Sequence, residues 1–241
     1  MKKILKKTIQ VLYILWQWLV AVPVFALITL FTAITTMIFV HWRNSEWLHK
    51  IQQFWSRSFF YLLFIKVEIT GKENIRKGQS YVFVSNHQSM SDVFLIYGWL
   101  PVIFKWVMKQ ELRKIPFVGT ACAAAGHIFL DRGRTRSVVG TVRQAESVLH
   151  DGVCVVIFPE GTRTMNGQVG RFKRGAFGIA EDLNLPVIPV TLHGCYELLP
   201  RGRYYAKHTK VSMHIGKEVN MTDFADQDAA IAAIRETVIA G

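Results

Sequence analysis

Between Thr8 and Trp42 the chain contains no Lys, Arg, Asp or Glu. That absence excludes an ordinary solvated helix there, because such a helix needs a polar face toward water. The run is longer than the roughly 7–15 apolar residues of a signal-peptide core. It also exceeds the roughly 20 residues needed to cross a bilayer. Cysteine is scarce: Cys122, Cys154 and Cys195 are the only 3. They are scattered, odd in number and never spaced C-x-x-C, which argues against a disulfide framework or a structural zinc site. No metal site is expected, and a reducing, cytosolic environment is expected for the globular part. Acidic residues are few, 17 against 29 Lys and Arg, leaving a formal charge of +12. This balance points to anionic partners: nucleic acid, anionic lipid, phosphate esters or an acidic carrier protein. No segment concentrates basic and aromatic residues in a nucleic-acid module, so nucleic acid is not an expected partner. The apolar run selects lipid. Internal repeats and low-complexity tracts are absent as well.

What is present divides the chain in two. Residues 1–65 read as a membrane-associated helical segment and residues 66–241 as a globular domain. Pro23 lies inside the apolar run and is expected to kink a continuous helix. A second stretch places Trp47, Leu48, Ile51, Phe54, Trp55, Ser58, Phe59 and Leu62 at helical spacing, with Lys50, Gln53 and Arg57 opposite. It reads as an amphipathic helix. Lys2, Lys3, Lys6 and Lys7 precede the apolar run, and Arg43, Lys50 and Arg57 follow it. A single span would put one basic cluster outside, against the positive-inside tendency. A re-entrant or in-plane hairpin, packed against the second stretch, keeps both on the cytosolic side; one transmembrane helix is the alternative.

In the remainder, β-branched and aromatic runs at 66–71, 81–85, 103–107, 127–130, 153–158, 187–192 and 210–215 read as strands. Helical patterns cover 92–100, 135–150, 173–183 and 225–240. The alternation predicts an α/β fold: a mostly parallel sheet flanked by helices, preceded by an N-terminal hydrophobic helical membrane hairpin. Ligands of such sheets gather where strands end and loops begin.

Polar motifs fall at those places. After the strand 81–85 comes Asn86-His87-Gln88-Ser89-Met90-Ser91-Asp92. A short loop can return the carboxylate of Asp92 to the imidazole of His87, fixing its tautomer and leaving one ring nitrogen as a general base. Equally, Ser89-x-x-Asp92 before an apolar run is a helix capping box. Ser89 or Ser91 as an acylated nucleophile is a lesser alternative. After the strand 153–158 comes Pro159-Glu160-Gly161-Thr162-Arg163, with no acid from Gly161 to Ala180. Gly161 permits an open backbone with amides toward an anion, Thr162 adds a hydroxyl, and Arg163 adds a bidentate donor. Glu160 suits a glycerol hydroxyl or a nearby Arg; the plainer reading is a solvated loop with a Glu160–Arg163 pair. In Gly126-His127-Ile128-Phe129-Leu130-Asp131-Arg132, Arg132 can meet a phosphate or pair with Asp131. Lys105 and Lys109 are further cationic candidates, although lysines often face water. Pro189, within Val187-Ile188-Pro189-Val190, suggests a strand at a sheet edge or bulge, serving as a pocket wall.

Taken in order, Asn-His-x-x-x-x-Asp, Gly-x-Ile-Phe-Leu-Asp-Arg, Phe-Pro-Glu-Gly-Thr-Arg and Ile-Pro-Val resemble the blocks of the glycerolipid acyltransferase family. The resemblance is strongest to its bacterial 1-acyl-glycerol-3-phosphate acyltransferases and covers nearly the whole chain. It implies a His–Asp enzyme of phospholipid synthesis that acylates the sn-2 hydroxyl of lysophosphatidate to give phosphatidate. His87 and Asp92 would be catalytic, and Lys105, Arg132, Glu160, Gly161, Thr162 and Arg163 would bind the acceptor. The donor would be a thioester of acyl carrier protein or coenzyme A, with no metal or other cofactor. The expected location is a bacterial cytoplasmic (inner) membrane, with the catalytic domain on the cytosolic face. The alternatives are the same chemistry on glycerol 3-phosphate or a lyso-aminolipid, and a non-catalytic protein that binds anionic lipid.

Overall fold

A computed structural model of the chain describes residues 2–130, 144–149 and 151–241. One sheet of seven strands runs in the order β1 (Val67–Thr70), β7 (Val211–Ile215), β6 (Val187–His193), β2 (Val82–Ser85), β5 (Cys154–Ile157), β3 (Phe104–Lys109), β4 (Ile128–Leu130). Every neighbouring pair is parallel except β6 and β7. All seven strands lie where their β-branched runs predict them.

The central strands β2, β5 and β6 are buried on both sides because both faces of the sheet are covered there, as a parallel sheet requires. Tyr81 and Phe83 enter one hydrophobic layer, with residues of helices α3 (Glu46–Leu62) and α4 (Ser91–Trp99). Val82 and Val84 point the other way, into a layer with Ile179 of α6 (Gly178–Asp182) and Ile231, Ile234 and Val238 of α8 (Gln227–Ala240). The α8 N-terminus is capped by Asp226, whose side chain accepts from Ala229 N. Two short helices complete the described elements used below: α5 (Val118–Ala124) and α7 (Cys195–Leu198). The helix expected at 135–150 lies largely outside the described residues. Helix α5 was not anticipated, since its VGTACAA sequence has no charged residue to reveal a helical period.

The N-terminal segment differs from expectation in one respect. It is a single helix over Lys3–Ile38, long and apolar enough to cross a membrane by length and composition. It comprises α1 (Lys2–Trp16), a π-helical turn at Gln17–Ala21 and α2 (Val22–Ile38). Pro23 neither breaks it nor forms a hairpin turn. The π turn widens the backbone just before it, with Val22 N–H donating to Gln17 O, and absorbs the proline's steric demand. The chain folds back later, around residues 39–45, so the hairpin is made by the long helix and α3. Gln17, inside the π turn, is buried and locks the helix to the globular domain: its Nε2 donates to Ala206 O at 2.9 Å and its Oε1 accepts from Ala206 N at 2.7 Å.

Pro189 meets one of its two expected settings, a bulge, and not the other, a sheet edge. Strand β6 is interior, between β2 and β7, and not an edge. The proline is tolerated because the β7 side is irregular there. Gly216 N–H reaches Pro189 O, and pairing resumes at Val187 with Val219, one residue out of register from Val190 with Ile215. The extra residue makes a bulge, which removes the need for a donor at Pro189.

His49, His127 and Lys105 are all buried near Tyr97. Burial, reinforced by Lys105, lowers His127 to about 3 and His49 to about 4. His127 Nδ1 accepts from Trp106 N at 3.3 Å, a bond that protonation would remove. Both imidazoles titrate lower in the fold than in the unfolded chain. Between those values and pH 6.5 the unfolded chain therefore binds more protons, and stability falls as pH drops. The melting temperature should fall between pH 6.5 and 4, His127 alone contributing on the order of 3 kcal/mol at pH 4. His127→Gln should flatten that slope in a thermal-denaturation series; an identical slope would contradict the assignment.

Candidate active site

The strand β2 ends at Ser85 and the strand β5 at Ile157, side by side in the middle of the sheet. The chain passes from β2 through α4 to β3, leaving the gap that β5 later fills, so the crevice beyond β2 and β5 lies where connections diverge. Asn86 anchors the first loop. Its side chain pairs like a peptide with Leu192, donating to Leu192 O at 3.0 Å and accepting from Leu192 N at 2.9 Å. The chain is thereby held in line with β6 for one residue past the strand end, and His87 emerges from a fixed point.

The His87 imidazole and Asp92 carboxylate meet as their spacing predicts. Nδ1 of His87 stands 2.9 Å from Oδ2 of Asp92, and Asp92 is fully buried. The same oxygen accepts from Gln88 N at 2.6 Å and Ser89 N at 2.7 Å. The dyad and the helix-capping readings are therefore both correct: the carboxylate that closes the turn into α4 is the one that orients the ring. With Nδ1 donating to Asp92, Nε2 is left basic, and it has no hydrogen-bond partner among the described residues. The ring also stacks on Phe158 at a centroid distance of 4.0 Å and an interplanar angle of 10°, and Phe158 in turn stacks on Trp106. Two constraints, one in the ring plane and one on its face, hold it. The stack was not read from sequence, although Phe158 opens the Phe-Pro-Glu-Gly block.

Ser89 and Ser91 are not nucleophiles. Both are fully buried; Ser89 Oγ donates to Leu199 O at 2.6 Å, and Ser91 Oγ donates to Ser89 Oγ at 2.9 Å. The three cysteines are free, and burial pushes Cys122 up to about 11, Cys154 to about 12 and Cys195 well above its usual value.

Glu160 reaches the site but does not face a substrate. It is buried, its Oε1 accepting from His87 N and its Oε2 from Gly170 N, both at 2.7 Å. A Cβ at position 170 would stand 2.8 Å from Oε2, so glycine is what lets the amide approach. Each oxygen thus serves a backbone amide of the protein, and no bond from Arg163 reaches either one among the described residues. Desolvation raises its pKa, and the two amides partly counter this. The Gly161 N–H donates to Phe158 O within the turn, at φ +74°, and does not stand open to an anion. Thr162 is exposed, and its hydroxyl bonds to the Arg163 carbonyl at 3.3 Å. Arg163 is half-buried, with no partner for its guanidinium among the described residues. The next residue, Thr164, donates its N–H to His87 O at 3.0 Å, so Arg163 is held beside the dyad.

Lys105 is a correction. It is buried, with Nζ donating to Ala125 O at 2.7 Å and Arg43 O at 3.1 Å. Burial, with Arg43 nearby, lowers it to about 7. Lys109, at the end of β3, is the exposed cation of that strand. The register places it level with the loop after β2, two strands away, or about 10 Å. Arg132 lies outside the described residues.

Beside the dyad is a cavity of about 360 Å³ between α2, α3, α4, β3 and α5. Phe94, Trp106, Met108, Ile115 and Ala121 are among its lining, and Met90 of the catalytic loop stands in its wall. The polar side chains that reach it from α2 and α3 are satisfied among themselves, as in Gln52 Nε2 to Thr36 Oγ1 at 3.2 Å and Trp55 Nε1 to Thr29 Oγ1 at 2.9 Å. An oriented imidazole beside an apolar cavity suits acyl transfer to an alcohol.

The acyltransferase family model matches residues 66–193. The chain belongs to the acyltransferase family. It is 29% identical, over 98% of its length and 71% of the relative's, to a 1-acyl-sn-glycerol-3-phosphate acyltransferase of Chlamydomonas reinhardtii. It is 40% identical to the human 1-acyl-sn-glycerol-3-phosphate acyltransferase alpha over 133 residues, 55% of this chain and 47% of that one. Against the crystal structure of the 1-acyl-sn-glycerophosphate (LPA) acyltransferase PlsC from Thermotoga maritima the TM-score is 0.79 at 29% identity. That likeness covers 96% of this chain and 94% of the other, so the family fold includes the N-terminal helices.

If Glu160 positions His87 and does not bind acceptor, Glu160→Gln should lower kcat at least tenfold, because an amide has one acceptor oxygen for two N–H donors. The acceptor KM should change little. A raised KM with unchanged kcat would return Glu160 to the acceptor site.

Proposed function

We propose that this member of the family transfers a fatty acyl group from a thioester to the sn-2 hydroxyl of 1-acyl-glycerol 3-phosphate, releasing phosphatidate and a thiol. The observation that carries the reading is the His87–Asp92 pair, at 2.9 Å, beside the apolar cavity. The names of the matched relatives in an alga, a mammal and a bacterium point to the same acceptor.

In the reaction, His87 Nε2 takes the hydroxyl proton as the alcohol oxygen bonds to the thioester carbonyl carbon. The C–S bond then breaks, and the imidazolium returns the proton to the departing sulfur. Asp92 holds the tautomer throughout and stabilises the imidazolium. The acyl chain occupies the cavity, where each buried methylene contributes about 0.8 kcal/mol. Arg163 meets the acceptor phosphate, with Lys109 at the end of β3 as a further cation; Arg132 is a third candidate on its sequence motif alone. The donor is a thioester of acyl carrier protein or coenzyme A, and the basic surface suits the acidic carrier.

The N-terminal helix supports a monotopic attachment to the cytosolic face of the cytoplasmic membrane. It packs on α3 and the globular domain together, from Tyr13, which donates to Leu63 O, through Gln17 against Ala206 and Phe25 against Phe94, to Thr36, which accepts from Gln52. That span is about 35 Å at 1.5 Å per residue, longer than the roughly 30 Å hydrocarbon core. A helix sealed to the domain over such a length lies in the membrane surface and does not cross it; its other face exposes Leu19, Leu27, Phe31 and Ile38. Both basic clusters then stay on one side.

Thioesters of carrier protein and coenzyme A, crossed with lysophosphatidate, glycerol 3-phosphate and a lyso-aminolipid, test the substrate reading. Lysophosphatidate should be preferred. His87→Ala should cost about 10²–10⁴-fold in kcat with an unchanged melting temperature, and Arg163→Ala should chiefly raise the acceptor KM. Substantial turnover by purified His87→Ala would remove the mechanism. In spheroplasts, Lys3→Cys should resist an impermeant maleimide; labelling from outside would show a spanning helix.

A further inference from the structure

The residues lining the cavity are buried or half-buried, with four exceptions. Met90 is 52% exposed, Leu112 41%, Ile115 43% and Val118 41%. These four mark the mouth, which runs between the catalytic loop and the segment preceding α5. That segment is unusual for a water-facing loop: residues 111–118 are all exposed, and Phe117 at its tip is 63% exposed. Phe117 also holds φ +60°, a conformation an aromatic residue rarely adopts.

The turn is built to hold that side chain outward. Val118 N–H donates to Pro116 O and Gly119 N–H to Ile115 O at 2.8 Å. The backbone packs so closely that a Cβ on Gly119 would stand 2.2 Å from Arg113 O. Cations flank the apolar tip. Lys109 and Lys114 are exposed with no ion pair among the described residues, and Arg113 lies over the Phe129 ring at 5.6 Å. Glu111 is the one acid of residues 109–118. Helix α5, which the segment leads into, packs against α2, whose exposed side carries Phe31, Ile34 and Ile38.

We infer that residues 109–118 form a second membrane-docking element: Leu112, Ile115, Phe117 and Val118 enter the hydrocarbon of an anionic bilayer while Lys109, Arg113 and Lys114 meet its phosphates, so that the cavity mouth opens into lipid instead of water. An acidic carrier protein would satisfy the cations but leave four apolar side chains facing water. The two-part pattern fits a lipid surface, anionic above and apolar below. What passes through the mouth rests on the acyl-transfer reading; the docking itself does not.

The test uses the full chain in a Cys122→Ala background, with a fluorescent NBD label on Phe117→Cys, bound to vesicles of equal parts phosphatidylcholine and phosphatidylglycerol. The label should shift to the blue and be quenched at least twofold by lipid-borne nitroxide. The same label on Ile239→Cys, on a helix packed against the opposite face of the sheet, should show neither. Separately, Lys114→Asp/Phe117→Asp should slow acylation of lysophosphatidate in those vesicles at least tenfold, through the cost of inserting charge, while sparing the same acceptor in detergent micelles. An unquenched label at position 117 overturns the inference, whether or not the double variant folds. So does lost carrier-protein binding in the double variant with vesicle activity intact, which would give the surface to the carrier. A quenched label in a protein inactive on every donor and acceptor would leave the docking standing and remove the acyl-transfer reading.

Discussion

One buried carboxylate joins the two halves of the site. Glu160 leaves the loop after β5 and accepts the backbone N–H of His87, which leaves the loop after β2, and of Gly170, which closes its own loop. Two charge-assisted bonds in a water-poor setting are strong and directional. The loop 161–170 is also tied to the loop after β2 by Thr164 N with His87 O and Gln88 Nε2 with Gly167 O, neither of which involves a charged group. Arg163 owes its place to this tie, since nothing else among the described residues holds its guanidinium.

The same economy of contacts appears at Asp92. One oxygen closes the turn into α4, orients the imidazole and ends two backbone amides. A substitution there would disturb the helix start and the proton carrier together. The His87 ring is further confined by the Phe158 face, and Phe158 by Trp106, whose ring lines the cavity. The cavity wall and the base are thus parts of one packed stack.

The membrane-facing half is coupled to this arrangement through the fold. The loop that carries Ala206, gripped by Gln17 of the long helix, begins at Leu199, whose carbonyl holds Ser89 beside Asp92. Helix α2 forms one wall of the cavity, and α3 and α4 form another. The N-terminal helix is therefore a structural member of the site, and the likeness to the bacterial relative runs over 96% of the chain.

Much of this was legible in the amino acids themselves. The seven strands follow from their β-branched and aromatic runs, the amphipathic α3 from its period, and the dyad from a strand end, a short loop and a helix start at fixed spacing. These are local patterns, and local backbone geometry decides them. Other features depended on residues far apart in sequence. Lys105 and Glu160 are charged residues next to a motif, and sequence assigns such residues to the substrate; only the packing shows that carbonyls and amides already occupy them. Pro23 and Pro189 looked like interruptions until a π turn and a bulge absorbed them. The cavity and its exposed rim had no signature at all, because a void is defined by the side chains of five elements meeting at a distance, and no single segment encodes it.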